Sequence, residues 1–192
     1  MIIGNPQKLA IESDITRAIQ TEDRLIPSGF FVLHVEGLRY GVHQPDATLL
    51  GCSIAEIDRR IERRGQHVVP FAWAPAGEIA NAYRDAIYAP DQEKKLFLGI
   101  PHPEFEGLIH NSYISWAPDG DEAFDDGSYI LQFDVGDKVR VIAFRSVERG
   151  YHHDPLTLRD LWVDEAEFYG VLERWRAAFA DAFALSCSQK KA

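Results

Sequence analysis

Alternation of apolar and polar residues predicts β-strands in three parts of the chain. Residues 8–15, KLAIESDI, place apolar side chains at alternate positions, as a strand with one buried face does, although the acids and Arg17 leave a helix open as the alternative. Residues 29–42, GFFVLHVEGLRYGV, hold two aromatic or β-branched runs around Gly37, which supplies the positive φ of a tight turn. Residues 128–144, SYILQFDVGDKVRVIAF, repeat this arrangement around Gly136. The pattern therefore predicts one strand followed by two β-hairpins.

Apolar residues spaced three and four apart predict three helices. Ser53 and Glu56 form a capping box that opens the first helix, and Gly65 ends it. The second helix covers about residues 75–88. The third is long, covers about residues 164–185, and carries an apolar stripe that predicts packing on a sheet face. The stripe consists of Phe168, Leu172, Trp175, Phe179 and Phe183.

The order of these elements predicts an α+β fold. Strands, helices, strands and a final helix follow one another without the βαβ alternation of a parallel sheet. We therefore expect a mainly antiparallel sheet of about five to six strands, with about three helices and the long C-terminal helix packed on the sheet. A chain of 192 residues is most simply a single domain, here residues 1–192, with residues 185–192 as a frayed tail.

The excess of acidic over basic residues disfavours some classes of binding partner. With 20 basic and 30 acidic residues, the net charge is −10. This charge disfavours binding to nucleic acid or anionic membranes, which need a basic surface, and permits binding to a basic protein. No apolar run approaches the ~18 residues of a membrane-spanning helix, and the N-terminus lacks signal-peptide features. We expect a cytoplasmic protein in which Cys52 and Cys187 are reduced thiols.

The densest charged feature is residues 118–129, PDGDEAFDDGSY, where five acids and no base lie between Asp119 and Asp126. An EF-hand loop that began at Asp119 would need Asp or Asn fifth and Gly sixth, but Ala123 and Phe124 stand there. A structured acidic turn and a docking surface for a basic partner both remain open. The candidate binding residues are Asp119, Asp121, Glu122, Phe124, Asp125 and Asp126.

Motifs of catalysis and metal binding are missing from the sequence. It contains no G-x-S-x-G, G-x-G-x-x-G, G-x-x-x-x-G-K, H-E-x-x-H or C-x-x-C. His152 and His153 are adjacent, and adjacent side chains on a strand point to opposite faces, so they rarely chelate one ion. Cys52 lies in the apolar run LLGCSI, where a cysteine is typically a small buried hydrophobe. We predict no catalytic residue, no metal site and no cofactor.

Three segments resemble a known family: MIIGNPQKLAIESDI at residues 1–15, WAPDGDEAFDDGSYILQFDV at residues 116–135, and HDPLTLRDLWV at residues 153–163. Their G-N-P motif and acidic P-D-G-D…F-D-D-G motif are similar to those of the immunity protein 42 family of bacterial polymorphic toxin systems. The resemblance extends to about Trp175. Neither motif is a catalytic signature, and the resemblance carries no interface residues with it.

The resemblance implies a cytoplasmic immunity protein. Such a protein would bind and neutralise a cognate toxin domain that sibling cells deliver by contact-dependent or related secretion. A toxin with a basic active-site surface would suit the acidic loop, with Phe124 either as a hydrophobic anchor or as a residue that pins the loop to the core. The alternatives are a small cytoplasmic enzyme with an unrecognised acidic or Cys-His site and a stand-alone protein-binding module. The sequence indicates no oligomeric state.

Overall fold

The computed structural model describes residues 1–22, 25–89, 95–116, 122–147 and 152–189. Within these ranges the strands are β1 (Ile2–Asn5), β2 (Leu9–Gln20), β3 (Leu25–Val35), β4 (Leu38–Tyr40), β5 (Thr48–Leu49), β6 (Leu96–Phe97), β7 (Ile100–Pro101), β8 (Ser128–Val135), β9 (Lys138–Arg145) and β10 (Arg159–Asp164). The helices are α1 (Leu50–Glu62), α2 (Ala76–Tyr88), α3 (His102–Asn111) and α4 (Glu165–Gln189), with a 3₁₀ helix at Glu122–Phe124. The predicted α+β class is confirmed.

The chain divides into two compact units that interleave along the sequence. Unit 1 comprises Met1–Arg64, Asp119–Asp126 and Ala166–Ala192, and unit 2 comprises Gly65–Pro118 and Gly127–Glu165. The strands form three antiparallel sheets rather than the one that was expected, because the N-terminal and C-terminal hairpins belong to different units. Each unit is described separately below.

Unit 1 is built on a five-stranded sheet. Its strands follow the order β1-β2-β3-β4, and β5 pairs with β3. The predicted hairpin of β3 and β4 is confirmed: Glu36 and Gly37 connect the strands with φ of 47° and 80°. Two consecutive positive φ values are typical of the type I′ turn, whose twist matches that of the flanking strands. The register between β2 and β3 shifts between Ile15 and Arg17, where the sheet has an irregularity.

The C-terminal helix covers this sheet, as its apolar stripe predicted. Phe168, Leu172, Trp175 and Phe179 are all buried. Trp175 meets Phe31 of β3 edge-on, with ring centroids 5.2 Å apart and planes at 82°. Edge-to-face contacts of this kind are favourable beyond the apolar area that they bury. The helix continues past residue 185, its predicted end, to Gln189.

The capping box that was predicted at Ser53 is wrong. Helix α1 follows β5 directly and begins at Leu50, with Leu49 at the N-cap and no side-chain cap. Ser53 therefore lies inside the first turns, and its side chain is buried. The sequence pattern S-x-x-E was misleading because strand β5 leads directly into the helix, which begins four residues earlier than it would with Ser53 as the N-cap.

Unit 2 packs two helices on a three-stranded sheet of order β10-β9-β8. Its hairpin β8–β9 and helix α2 confirm the sequence predictions. The segment between α2 and the acidic loop holds α3 together with the short pair β6–β7. Phe105 of α3 contacts the rings of Phe71 and Phe97, at centroid distances of 4.7 and 5.4 Å. No helix in the described part of the chain is long and apolar enough to cross a membrane.

Candidate functional site

The acidic loop is attached to the chain after β4 by one bond to its backbone and one to a side chain. Asp119 and Asp121 lie outside the described residues, and the description resumes with the 3₁₀ helix that begins at Glu122. The N–H of Val42 donates to the carbonyl of Ala123 across 2.8 Å. The N–H of Gly41 donates to the Asp126 carboxylate across 3.3 Å. Residues 122–126 are therefore attached to the chain directly after β4.

Phe124 serves as the internal attachment of this loop. Its side chain is 8% exposed and meets Phe31 edge-on at a centroid distance of 6.4 Å. This is the pinning role that the sequence left open for Phe124, and in this conformation the ring is not offered to a partner. Glu122 and Asp125 are exposed, whereas Asp126 is half-buried. Among the described candidates, Glu122 and Asp125 are therefore the side chains most accessible to a binding partner.

Gly41 allows the loop to approach the sheet closely. Its φ is +110°, a conformation that residues with a side chain rarely adopt. A Cβ at this position would lie 2.9 Å from the carbonyl oxygen of Ala123 and 3.1 Å from that of Phe31. Glycine is thus required both by the backbone angle and by the space between loop and strand.

The described residues show neither a metal-binding cluster nor a histidine in the groove around Cys52. No group of three or more His, Cys, Asp or Glu in the described residues could hold a metal ion. Cys52 is a free thiol and is exposed, so the expectation that it is buried was wrong. Its position at the start of α1, beside β5, turns it outward. It lies in an open groove of about 260 Å³, whose lining residues include no histidine: Leu25, Ile26, Pro27, Leu49, Gly51 and Cys52.

Two histidine sites are explained by structural contacts. The contacts of His153 are structural. Its backbone N–H and its Nδ1 both form hydrogen bonds with the side-chain oxygen of Asn81, at 3.1 and 2.8 Å. Burial lowers the pKa of His153, more than the nearby Asp154 raises it. On the sheet of unit 1, Glu12 bridges His34 and His43, at 2.8 and 3.2 Å. Burial raises the pKa of Glu12, but these two hydrogen bonds outweigh it, so the net shift is downward.

Sequence reasoning missed an aromatic pair on the surface of unit 2. Trp73, in the segment between α1 and α2, stacks on Trp162 of β10 with ring centroids 5.1 Å apart and planes at 28°. Trp73 is 73% exposed and Trp162 is 36% exposed. The sequence signal that could have revealed Trp162 as exposed is the alternation along β10. Leu161 and Val163 are buried on one face, so Trp162 between them faces outward.

Comparisons with known proteins agree with the sequence motifs. The family model "Immunity protein 42" matches residues 1–178. The crystal structure of CdiI from Burkholderia dolosa is similar in fold, with a TM-score of 0.57 and 16% identity over 93% of this chain and 99% of that chain. No curated protein sequence matches the chain. Because the family match covers nearly the whole sequence, this chain belongs to the immunity protein 42 family.

Proposed function

We propose that this protein binds a cognate toxin domain in the cytoplasm of the producer cell and neutralises it. The match of residues 1–178 to the immunity protein 42 family carries the proposal. The similar fold of a protein described as CdiI supports it at the level of architecture. The inhibitor acts by binding rather than by turnover, so inhibition should be stoichiometric and should need no metal or cofactor.

The acidic loop is the proposed docking surface for a basic region of the toxin. Glu122 and Asp125 are exposed, and no described basic side chain pairs with either carboxylate. Two hydrogen bonds, to the Ala123 carbonyl and to the Asp126 carboxylate, hold residues 122–126 in place, so this part of the loop loses little conformational entropy when a partner binds it. Asp119 and Asp121 are included in the proposed docking surface because they lie in the same acidic segment of the sequence. A net charge of −10 would accelerate the encounter with a basic toxin, and salt would screen this effect.

A rescue experiment tests the function. The chain is co-expressed with the toxin domain encoded immediately upstream, and growth is compared with that of cells that express the toxin alone. Growth rescue together with a complex on size-exclusion chromatography is the expected result. Titration of the purified toxin's activity should end near one inhibitor per toxin. Failure of both rescue and complex formation would rule out immunity against this toxin.

Neutral substitutions in the loop test its role as the docking surface. The loop variant carries Asp121→Asn, Glu122→Gln, Asp125→Asn and Asp126→Asn, and we expect slower association with a flatter salt dependence. A control variant removes the same number of charges from exposed sites elsewhere: Glu62→Gln, Glu104→Gln, Glu173→Gln and Asp181→Asn. Equal association rates for the two variants would show that only net charge matters and that the loop is not the docking surface.

A further inference from the structure

We propose that the stacked pair Trp73–Trp162 is the aromatic anchor with which this protein grips a cationic side chain on the toxin surface. This inference rests on the proposed function and adds the contact that holds the complex together. The other two tryptophans, Trp116 and Trp175, are at most 1% exposed. Trp73 is instead 73% exposed, so most of its apolar surface remains in water in the free chain. Tryptophan dominates binding hot spots because it buries a large, rigid area.

A single buried arginine holds both rings in position. Arg140 of β9 donates from Nε and Nη2 to the two carboxylate oxygens of Asp160, at 2.7 and 2.8 Å. Its Nη1 donates to the carbonyls of Ala72 and Ala74, at 2.7 and 2.8 Å, and these residues flank Trp73. The same guanidinium lies 5.2 Å from the ring centre of Trp162. The anchor is therefore preorganised, which reduces the entropy lost on binding.

The electrostatics of the pair select a cationic partner. The faces of an indole ring carry negative potential, and an Arg or Lys side chain binds over them. The charge of Arg140 is already balanced by Asp160, so the stack presents no net positive charge of its own. Asp160 and Asp164 face outward on either side of Trp162, and Asp164 pairs with Lys138 at the surface. Such exposed pairs contribute little stability, so Asp164 can exchange Lys138 for a partner's cation at small cost.

Binding of the purified toxin domain to Trp73 variants tests the proposal. Trp73→Ala should raise Kd by about 30-fold, mostly through faster dissociation. Leu156→Ala, which removes another exposed apolar side chain of unit 2, should change Kd by less than about threefold. Because Trp73 is exposed, the fold should survive, and thermal unfolding of each variant checks this.

The chemistry of the partner is tested by two replacements of different character. Trp73→Phe keeps an aromatic face, whereas Trp73→Leu keeps apolar area without one. We expect Phe to retain more affinity than Leu, as a cation–π contact requires. Equal affinities for these two variants would overturn the cationic partner. A wild-type dimer that Trp73→Ala makes monomeric without change in toxin affinity would assign the pair to self-association and overturn the proposal.

Failure of this inference can be distinguished from failure of the proposed function. If wild-type protein binds the toxin and Trp73→Ala binds it equally well, the function stands and the anchor is overturned. If wild-type protein neither binds nor rescues, the proposed function fails and the anchor fails with it. The loop variant and the Trp73 variants report on different kinetic steps. Long-range charge governs association, whereas the anchor, once buried in the complex, governs dissociation.

Discussion

The indole N–H of Trp175 donates a hydrogen bond to the hydroxyl of Ser13 across 2.9 Å. Both side chains are fully buried, and the bond joins α4 to β2 across the core of unit 1. A buried tryptophan brings one polar atom into an apolar environment, and that atom must find an acceptor. Ser13, the polar residue within the alternating pattern of β2, supplies the acceptor.

Ser13→Ala should therefore lower the free energy of unfolding by about 1–3 kcal/mol, because it leaves the buried N–H of Trp175 without an acceptor. Urea denaturation followed by tryptophan fluorescence measures the change. Glu173→Ala on the exposed face of α4 is the control and should stay within about 0.5 kcal/mol of wild type. A loss as small as the control's would mean that the indole N–H finds another acceptor.

Arg140 and Lys138 lie on the same strand, and each pairs with an aspartate of β10, but only Arg140 is buried. Arg140→Met should destabilise the protein by about 2–3 kcal/mol, because the carbonyls of Ala72 and Ala74 lose their charged donor and the partly exposed Asp160 loses its partner. Lys138→Met should lower the free energy of unfolding by at most about 1 kcal/mol, since the charges of Lys138 and Asp164 are both solvated. Denaturant titration of the two variants provides the comparison, and similar losses would contradict the structural role of Arg140.

Local sequence signals predicted the elements of the fold well. The turn at Gly37 and the stripe around Trp175 depend on residues a few positions apart, and both are confirmed. The capping box at Ser53 failed because the neighbouring strand β5 determines where the helix begins. The separation of the strands into different sheets was not predictable, since it depends on which distant segments pair and local patterns carry no information about that.

Local sequence patterns also predicted the candidate site only in part. The sequence predicted an acidic turn, and the structure identifies Glu122 and Asp125 as its exposed carboxylates among the described residues. The sequence left two roles open for Phe124, and only the packing against Phe31 distinguishes them. The pair Trp73–Trp162 joins residues far apart in the chain, so no motif could reveal it. The docking role of the loop stays a prediction.

Gly41→Ala should destabilise the protein more than Gly65→Ala does. Both glycines have positive φ, +110° and +78°, so both substitutions strain the backbone by about 1–3 kcal/mol. At Gly65 a Cβ would meet nothing within 4 Å, whereas at Gly41 it would lie 2.9 Å from the carbonyl oxygen of Ala123. The difference in unfolding free energy therefore measures how tightly Gly41 is enclosed between the acidic loop and β3. Equal losses would show that the loop moves aside without penalty.

Unfolding free energy should decrease as the pH falls below about 6.5, the ordinary pKa of histidine, and His153 should contribute to this decrease. Burial disfavours the charged form of His153 and lowers its pKa in the folded chain. Between the lowered folded pKa and the ordinary unfolded pKa, the unfolded chain binds more protons, so stability rises with pH across that window. Its stabilising effect is complete above about 6.5 and is lost as the pH falls toward the folded pKa.

Substitution of His153 by glutamine should flatten this part of the pH profile, since glutamine can still donate to Asn81 but does not titrate. His110→Gln, at an exposed position, is the matched control for the loss of one histidine. Denaturant titrations at intervals between pH 5 and 8 measure both variants against wild type. If the slope of the His153→Gln variant equals that of wild type, then protonation of His153 is not linked to folding and the prediction is wrong.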